Sequence, residues 1–98
     1  MSSIHSLKSD PPINLVRTAA EEMLPTIMKK LGVDDTAENR EDMLAITLNS
    51  IPAKYVTTDS GRQYAQLVDV YMRQHEADIT AALTRAAIRV RQRPRGYK

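Results

Sequence analysis

The most regular hydrophobic pattern of the chain runs from Ser60 to Pro94, where apolar side chains recur every three or four positions. This is the period of one face of an α-helix, whereas a half-buried strand would alternate at every second residue. The apolar positions are Tyr64, Leu67, Val68, Tyr71, Met72, Ile79, Ala82, Leu83, Ala86, Ala87 and Val90. Ser60 and Gln63 have the spacing of a capping box, and Pro94 with Gly96 supplies a stop. The pattern predicts one long C-terminal helix.

That predicted helix is longer than a small globule is wide. At about 1.5 Å per residue it measures about 50 Å, whereas a domain of this size is about 30 Å across. We therefore expect the helix either to bend or to meet a partner.

A first helix is predicted from about Pro12 to Lys30. Asp10, Pro11 and Pro12 suit its first turn, because proline lacks an N–H that would be unpaired there in any case. Pro25 lies inside this helix and should kink it. Gly32 should end it as a left-handed cap.

A second helix is predicted from Ala37 to Asn49, after an acidic loop. Asp35 and Glu38 have the spacing of a capping pair, and Asn49 should cap the C-terminal end. The apolar residues fall on more than one face of this helix. This predicts a helix that is buried on several sides at the centre of the core.

The segment from Ile51 to Thr58 is a connector in which Pro52 excludes helix and the β-branched residues favour extended backbone. The elements together predict an all-α fold, a small helical domain with two shorter helices, an extended proline-containing connector and one long C-terminal helix. We expect a flexible N-terminal arm over residues 1–12, the helical domain over 13–95 and a short tail over 96–98.

Composition excludes several classes of protein. The 98 residues include no cysteine, phenylalanine or tryptophan, so the core is aliphatic and disulfides or thiolate metal sites are impossible. No apolar run approaches the roughly 20 residues of a membrane span, and the start lacks the apolar core of a signal peptide. We expect a cytoplasmic protein that does not insert into a membrane.

The sequence also lacks the common catalytic motifs. It has no glycine-rich phosphate loop, no Gly-x-Ser-x-Gly and no His-Glu-x-x-His. His75 with Glu76 and Asp78 suggests a metal cluster, but a histidine without a properly spaced partner fits an interface better. We expect no enzymatic activity, no metal and no cofactor.

The length of the apolar stripe on the long helix indicates a homodimer. The two shorter helices cover only about 28 Å and about 20 Å, so part of the stripe would face water in a monomer. Small residues would let a second helix approach closely. They are Ala81, Ala82, Ala86 and Ala87.

Charge is unevenly distributed, although the net charge is only +2. Acidic residues are concentrated in the first half of the chain. The C-terminal end carries Arg85, Arg89, Arg91, Arg93 and Arg95. These arginines could contact the phosphates of a nucleic acid. They also complement the C-terminal end of a helix, and no helix-turn-helix or zinc-finger pattern accompanies them. Nucleic-acid binding is therefore disfavoured.

A specific block of sequence lies between Asp42 and Gly61. It consists of Asp42-Met43-Leu44-Ala45-Ile46-Thr47-Leu48-Asn49, then Ile51-Pro52-Ala53-Lys54-Tyr55-Val56-Thr57, then Gly61. The block resembles the late competence protein ComFB family, which shows an aspartate, an aliphatic run, an asparagine, a leucine-proline-proline-x-tyrosine element and a glycine in this order. The resemblance covers about residues 13–95. Thr36 and Asn39 stand where many members have a Cys-x-x-Cys pair, and Ala53 replaces the second proline.

The resemblance implies a small, all-helical, dimeric bacterial protein of the cytoplasm that is not an enzyme. Members of the family have been linked to receptors for cyclic dinucleotide second messengers, and through them to competence, motility or cell-size control. We therefore expect a receptor for cyclic di-GMP or cyclic di-AMP that acts as a dimer and signals to a protein partner.

A cyclic dinucleotide has two phosphates and two purines, so its site needs cationic groups, flat side chains and groups that hydrogen-bond to base edges. The sequence offers such groups between the buried helix and the start of the long helix. The candidate ligand-binding residues are Arg40, Asp42, Lys54, Tyr55, Thr57 and Arg62.

The same residues also have structural interpretations. Lys54 and Arg62 fit solvated surface cations, and Tyr55 fits a plug at the edge of the core. Asp42 fits a partner of Arg40 or of a basic residue on the long helix. In that case the chain is a ligand-free helical adaptor or competence-associated interaction protein.

Overall fold

A two-residue strand, β1 (Ile13–Asn14), leads directly into the first helix, α1 (Leu15–Leu31). The second helix, α2 (Ala37–Leu48), follows, then a second short strand, β2 (Tyr55–Val56), and the long helix α3 (Gly61–Arg91). The two strands pair antiparallel, with Ile13 opposite Val56. This architecture, in a computed structural model, confirms the all-α class and the extended connector.

The structure describes residues 11–57 and 61–93, and side chains of α3 from residue 63 onward. Most of the predicted N-terminal arm and the whole predicted tail lie outside this part of the chain. The predicted caps of the long helix at Ser60 and Pro94 lie outside it as well.

The start of α1 is fixed by Asn14 and not by the prolines. The Asn14 side-chain oxygen accepts hydrogen bonds from the backbone N–H groups of Val16 (3.1 Å) and Lys54 (3.0 Å). The Leu15 N–H donates to the Lys54 carbonyl at 2.7 Å, so the residues before Leu15 are held extended against the connector. The predicted start at Pro12 is therefore wrong.

The rest of α1 follows the local signals more closely. Gly32 ends the helix with φ 71°, which confirms the left-handed cap. Pro25 is exposed and lies inside α1, which remains a single helix from Leu15 to Leu31.

α2 begins one residue away from the predicted cap. Thr36 accepts a hydrogen bond from the Asn39 N–H at 3.1 Å, so it replaces the predicted Asp35 as the N-terminal cap. The Asn49 N–H donates to the Ala45 carbonyl at 3.1 Å, which confirms Asn49 as the C-terminal cap. Ala45 itself is exposed.

The core lies mainly between α1 and α3. α2 contributes three of the buried residues, Met43, Leu44 and Thr47, whereas α1 contributes seven. The prediction that α2 forms the centre of the core is therefore wrong. The other buried members of the core are Leu15, Val16, Ala19, Ala20, Leu24, Ile27, Met28, Val33, Val68, Tyr71, Ile79, Leu83, Ala86, Ala87 and Val90.

α3 bends at His75, whose backbone is not helical (φ −121°, ψ 17°). The His75 ring lies 4.3 Å from the Tyr71 ring, measured between ring centres. α1 runs parallel to α3, because Thr18 hydrogen-bonds to Tyr64 and Lys30 lies across a groove from Thr80. Of the two alternatives predicted for the long helix, a bend or a partner, the structure shows a bend, and it occurs without a proline or glycine.

Thr47 offers a test of core packing. Its side chain is fully buried, and within the described residues its hydroxyl has no hydrogen-bond partner. A buried hydroxyl without a partner costs about 1–3 kcal/mol, and valine has nearly the same shape. We expect Thr47→Val to raise the free energy of unfolding by about 1 kcal/mol, measured by urea denaturation. Thr26→Val, at an exposed position of α1, is the control and should give no such gain; a loss of stability in Thr47→Val would contradict the prediction.

Candidate functional site

Hydrogen bonds join the start of α2 to Arg93, which lies two residues after the end of α3. Arg93 donates from Nη2 to the Asn39 side-chain oxygen at 2.8 Å, and from Nη1 to Oδ2 of Asp42. The Asn39 amide donates to the Asp34 carbonyl at 2.9 Å, which leaves its oxygen free to face the guanidinium. Thr36 therefore holds the backbone of Asn39, and the Asp34 carbonyl holds its side chain. The Asn39 side chain in turn helps to orient Arg93.

The electrostatics of this cluster favour a charged Arg93. The hydrogen bond to Asp42 raises the pKa of Arg93 above its ordinary value, and the charges of Asp42 and Glu38 act in the same direction, whereas partial burial opposes them. The Arg93 and Asp42 side chains are 30% and 38% exposed, so both remain within reach of a ligand. Arg93 therefore keeps its charge beside Asp42 at a partly exposed position.

An open groove of about 420 Å³ lies beside this ion pair, between α2 and the C-terminal end of α3. The groove is lined by Asp42, Ala45, Ile46, Arg89, Val90, Gln92 and Arg93. It combines two guanidinium groups, one carboxylate and one amide with an apolar wall from Ile46 and Val90. Guanidinium groups of this kind can contact phosphate oxygens, and the carboxylate and amide can hydrogen-bond to a polar ligand, but the described lining residues include no aromatic ring.

Two of the predicted site residues lie at this end of the molecule. Asp42 lines the groove, whereas Arg40 is ion-paired with Asp35 in the loop before α2. Arg40 therefore does not pair with Asp42; the partner of Asp42 is Arg93. Of the two partners that the sequence suggested for Asp42, Arg40 is wrong; Arg93 lies within the predicted span of the long helix, although α3 itself ends at Arg91.

Three of the other predicted site residues lie in the connector, and the fourth, Arg62, lies in the first turn of α3. Lys54 contacts the start of α1 through its backbone, while its side chain is exposed. Tyr55 is 64% exposed, so it does not plug the edge of the core. Thr57 is exposed, and the Arg62 side chain lies outside the described residues.

The structure does not bring these two groups together within one chain. The connector contacts the start of α1, where Thr18 bonds to Tyr64, whereas Asp42 lies beside Arg93. Tyr64 and Arg91 are about 40 Å apart along α3 at helical rise. Sequence reasoning missed that Arg89, Gln92 and Arg93 line the groove. It also missed that Asn39 holds Arg93 by a hydrogen bond.

A second groove, of about 360 Å³, lies between α1 and α3. Its lining consists of Glu22, Met23, Thr26, Ile27, Lys30, Glu76 and Thr80. Two carboxylates against one ammonium make this groove less suited to an anionic ligand than the groove beside Arg93.

The described residues contain neither a cluster of metal ligands nor a helix that could span a membrane. No group of three or more His, Asp or Glu side chains there could hold a metal ion, and His75 belongs to no such group. Within the same part of the chain, none of the helices combines the length and apolar character needed to cross a membrane.

Comparison with protein families gives one match. The family model for the late competence development protein ComFB matches residues 13–94, which include both strands, all three helices and the residues around the groove. No curated protein and no solved structure matches the chain.

Proposed function

Because this chain belongs to the late competence development protein ComFB family, we propose that it is a cytoplasmic receptor for a cyclic dinucleotide, either cyclic di-GMP or cyclic di-AMP. Family membership indicates a competence-related role. In the proposal the protein is not an enzyme, needs no cofactor, and acts as a homodimer that passes the signal to a protein partner.

The observation that carries this proposal is the chemistry of the groove between α2 and α3. Arg89 and Arg93 both line the groove, and two guanidinium groups suit two phosphates. Asp42 and Gln92 supply an acceptor and an amide for the Watson–Crick edge of a base. Ile46 and Val90 offer an apolar surface on which a purine ring can lie.

The lining of the groove also supports a binding role over catalysis. Among the described residues that line it, none is a histidine, serine, threonine or cysteine, the usual nucleophiles and general bases. Its single carboxylate, Asp42, already accepts a hydrogen bond from Arg93. This lining supports anion binding in preference to catalysis.

Calorimetric titration of the purified protein with cyclic di-GMP and cyclic di-AMP tests the proposal. We expect micromolar or tighter binding of one of them at physiological salt, and much weaker binding of the corresponding linear dinucleotide. Arg89→Ala should weaken binding by roughly tenfold or more, because it removes a charge-assisted hydrogen bond to phosphate.

Arg73→Ala is the matched control for this experiment. Arg73 is also an exposed arginine of α3, but it pairs with Asp69 at 3.2 Å and does not line the groove. It should bind like the wild type if the groove is the site. Absence of heat with either nucleotide, from protein that circular dichroism shows to be folded, would overturn the proposal.

A ligand-free adaptor is the second candidate, and the connector favours it. Lys54 serves the fold through its backbone, and Tyr55 presents an exposed aromatic ring at the edge of the two-stranded sheet. Exposed aromatic side chains are common anchors in protein interfaces. Failure of the titration would favour this role.

A further inference from the structure

The two arginines that line the groove between α2 and α3 differ in their partners. Arg89 is exposed and forms no ion pair with another described residue, whereas Arg93 is paired with Asp42. The other three ion pairs in residues 11–57 and 61–93 join side chains four or five residues apart. The pair of Arg93 and Asp42 joins residues that are 51 apart, so it is the one among them that connects distant parts of the chain.

The carboxylate of Asp42 occupies a position on Arg93 that a phosphate of a ligand would also seek. The planar guanidinium presents donors side by side, an arrangement that fits two oxygens of one carboxylate or phosphate. In Arg93 both terminal nitrogens already donate, Nη1 to Asp42 and Nη2 to Asn39 at 2.8 Å. A phosphate that takes this paired contact must therefore replace one of them.

Charge determines which of the two partners leaves Arg93. Asp42 lines the groove, so its carboxylate is repelled by a phosphate that enters there. Its side chain is 38% exposed, so water can solvate the carboxylate after it is displaced. Asn39 is neutral, and the Asp34 carbonyl holds its amide at 2.9 Å. Asn39 can therefore stay bonded and keep the guanidinium in place while the charged partner changes.

The backbone keeps Arg89 and Arg93 close enough for one ligand to reach both. The N–H groups of Gln92 and Arg93 donate to the carbonyls of Ile88 and Val90 at 3.1 and 3.2 Å, so the chain stays coiled beyond the end of α3. Four residues at helical rise span about 6 Å along the axis. The groove thus offers one unpaired and one paired guanidinium about one turn apart.

We propose that Asp42 is a specificity-determining residue of this groove, because it competes with the phosphates of the ligand for Arg93. The inference rests on the proposed function and concerns which phosphate ligands the groove accepts. A ligand with one phosphate gains Arg93 only by displacing Asp42 at the full cost of association. A ligand with two phosphates binds Arg89 with one of them, and the other then displaces Asp42 at a high effective concentration.

This competition favours cyclic dinucleotides over mononucleotides and free phosphate. It also accounts for two roles of Asp42 in one site. In the free protein the carboxylate neutralises Arg93, and after displacement it is free to accept a hydrogen bond from a base edge.

Inorganic phosphate is the probe that tests the competition, because it carries one phosphate and no base. Titration followed by the backbone amide NMR signals of residues 89–93 gives its dissociation constant. Asp42→Asn should bind phosphate roughly tenfold more tightly than the wild type, because the charged competitor is removed. Asp42→Ala should show the same gain without introducing an amide. Both variants should keep the wild-type helical signal, since Asp42 lies outside the buried core.

Glu41→Gln is the matched control, since it removes the same charge from the neighbouring position of α2. Glu41 is exposed and does not line the groove, so this variant should bind phosphate nearly as the wild type does. Adding Arg93→Ala to Asp42→Asn should abolish the gain. An equal gain in Glu41→Gln would show an effect of net charge alone and overturn the proposal. An Asp42→Asn chain that binds phosphate no more tightly than the wild type would overturn it as well.

Calorimetry with the cyclic dinucleotides separates this inference from the receptor. Where a cyclic dinucleotide binds, the ratio of the phosphate to the dinucleotide dissociation constant should be roughly tenfold smaller in Asp42→Asn than in the wild type. An unchanged ratio would mean that Asp42 opposes all anions alike and would overturn its selective role. Where neither dinucleotide binds, the receptor proposal fails, whereas a gain in phosphate affinity would still support the competition at Arg93.

Discussion

A Leu83→Asp chain should be unfolded at neutral pH. Leu83 has no exposed surface and packs in the core that joins α1 to α3. Truncating a buried leucine costs about 2–5 kcal/mol, and a buried carboxylate without a partner adds an effective penalty of several kcal/mol. The sum is comparable with the roughly 5–15 kcal/mol that stabilise a typical domain. Far-ultraviolet circular dichroism should show loss of most of the helical signal.

Leu67→Asp is the matched control for this change. It introduces the same residue in the same helix, but at a position that is 44% exposed. This variant should retain its helical signal, and its thermal midpoint should stay close to that of the wild type. A folded Leu83→Asp chain would contradict the position of Leu83 in the core.

The contrast between Leu83 and Leu67 shows what the sequence could not resolve. The spacing of three and four residues places Leu67 on the core face and offers Ala82, Ala86 and Ala87 to a second chain, but Leu67 is 44% exposed and the three alanines are buried within one chain. Both predictions are wrong, because periodicity alone does not separate the covered positions of α3 from the exposed ones. Only the places of α1 and α2 show which residues are covered within the chain.

Local signals predicted local structure well. Gly32 ends α1 because only a residue without Cβ readily adopts its positive φ, and Asn49 caps α2 as its position before Ile51-Pro52 suggested. The start of α1 was not predictable in the same way. It depends on Asn14 and Lys54, which are 40 residues apart in sequence.

The candidate site was predictable only in part for the same reason. Asp42 was identified from its place in the sequence block, but its partner Arg93 lies 51 residues later. The arginines of the C-terminal end also complement a helix end. This interpretation does not single out Arg89 and Arg93, the two that line the groove. No proline or glycine lies at the kink at His75, so its position was also not predictable from the sequence.

Arg93→Ala should have the largest effect on ligand binding of any single substitution in the groove. Arg93 lines the groove, and its hydrogen bonds to Asn39 and Asp42 hold the guanidinium in place before a ligand arrives. Such preorganisation lowers the entropic cost of binding. We expect the calorimetric dissociation constant for the cyclic dinucleotide to rise by roughly 10- to 100-fold, the range for loss of one hydrogen bond to a charged group.

Two variants distinguish a contact with the ligand from a general effect of charge. Arg91→Ala removes the same charge two residues away, at an exposed position that does not line the groove, and it should bind nearly as the wild type does. Arg93→Lys keeps the charge but loses the planar pair of donors, so its affinity should fall between those of Arg93→Ala and the wild type. Equal losses in Arg91→Ala and Arg93→Ala would show that the arginines act only through net charge, and the groove would then not be the binding site.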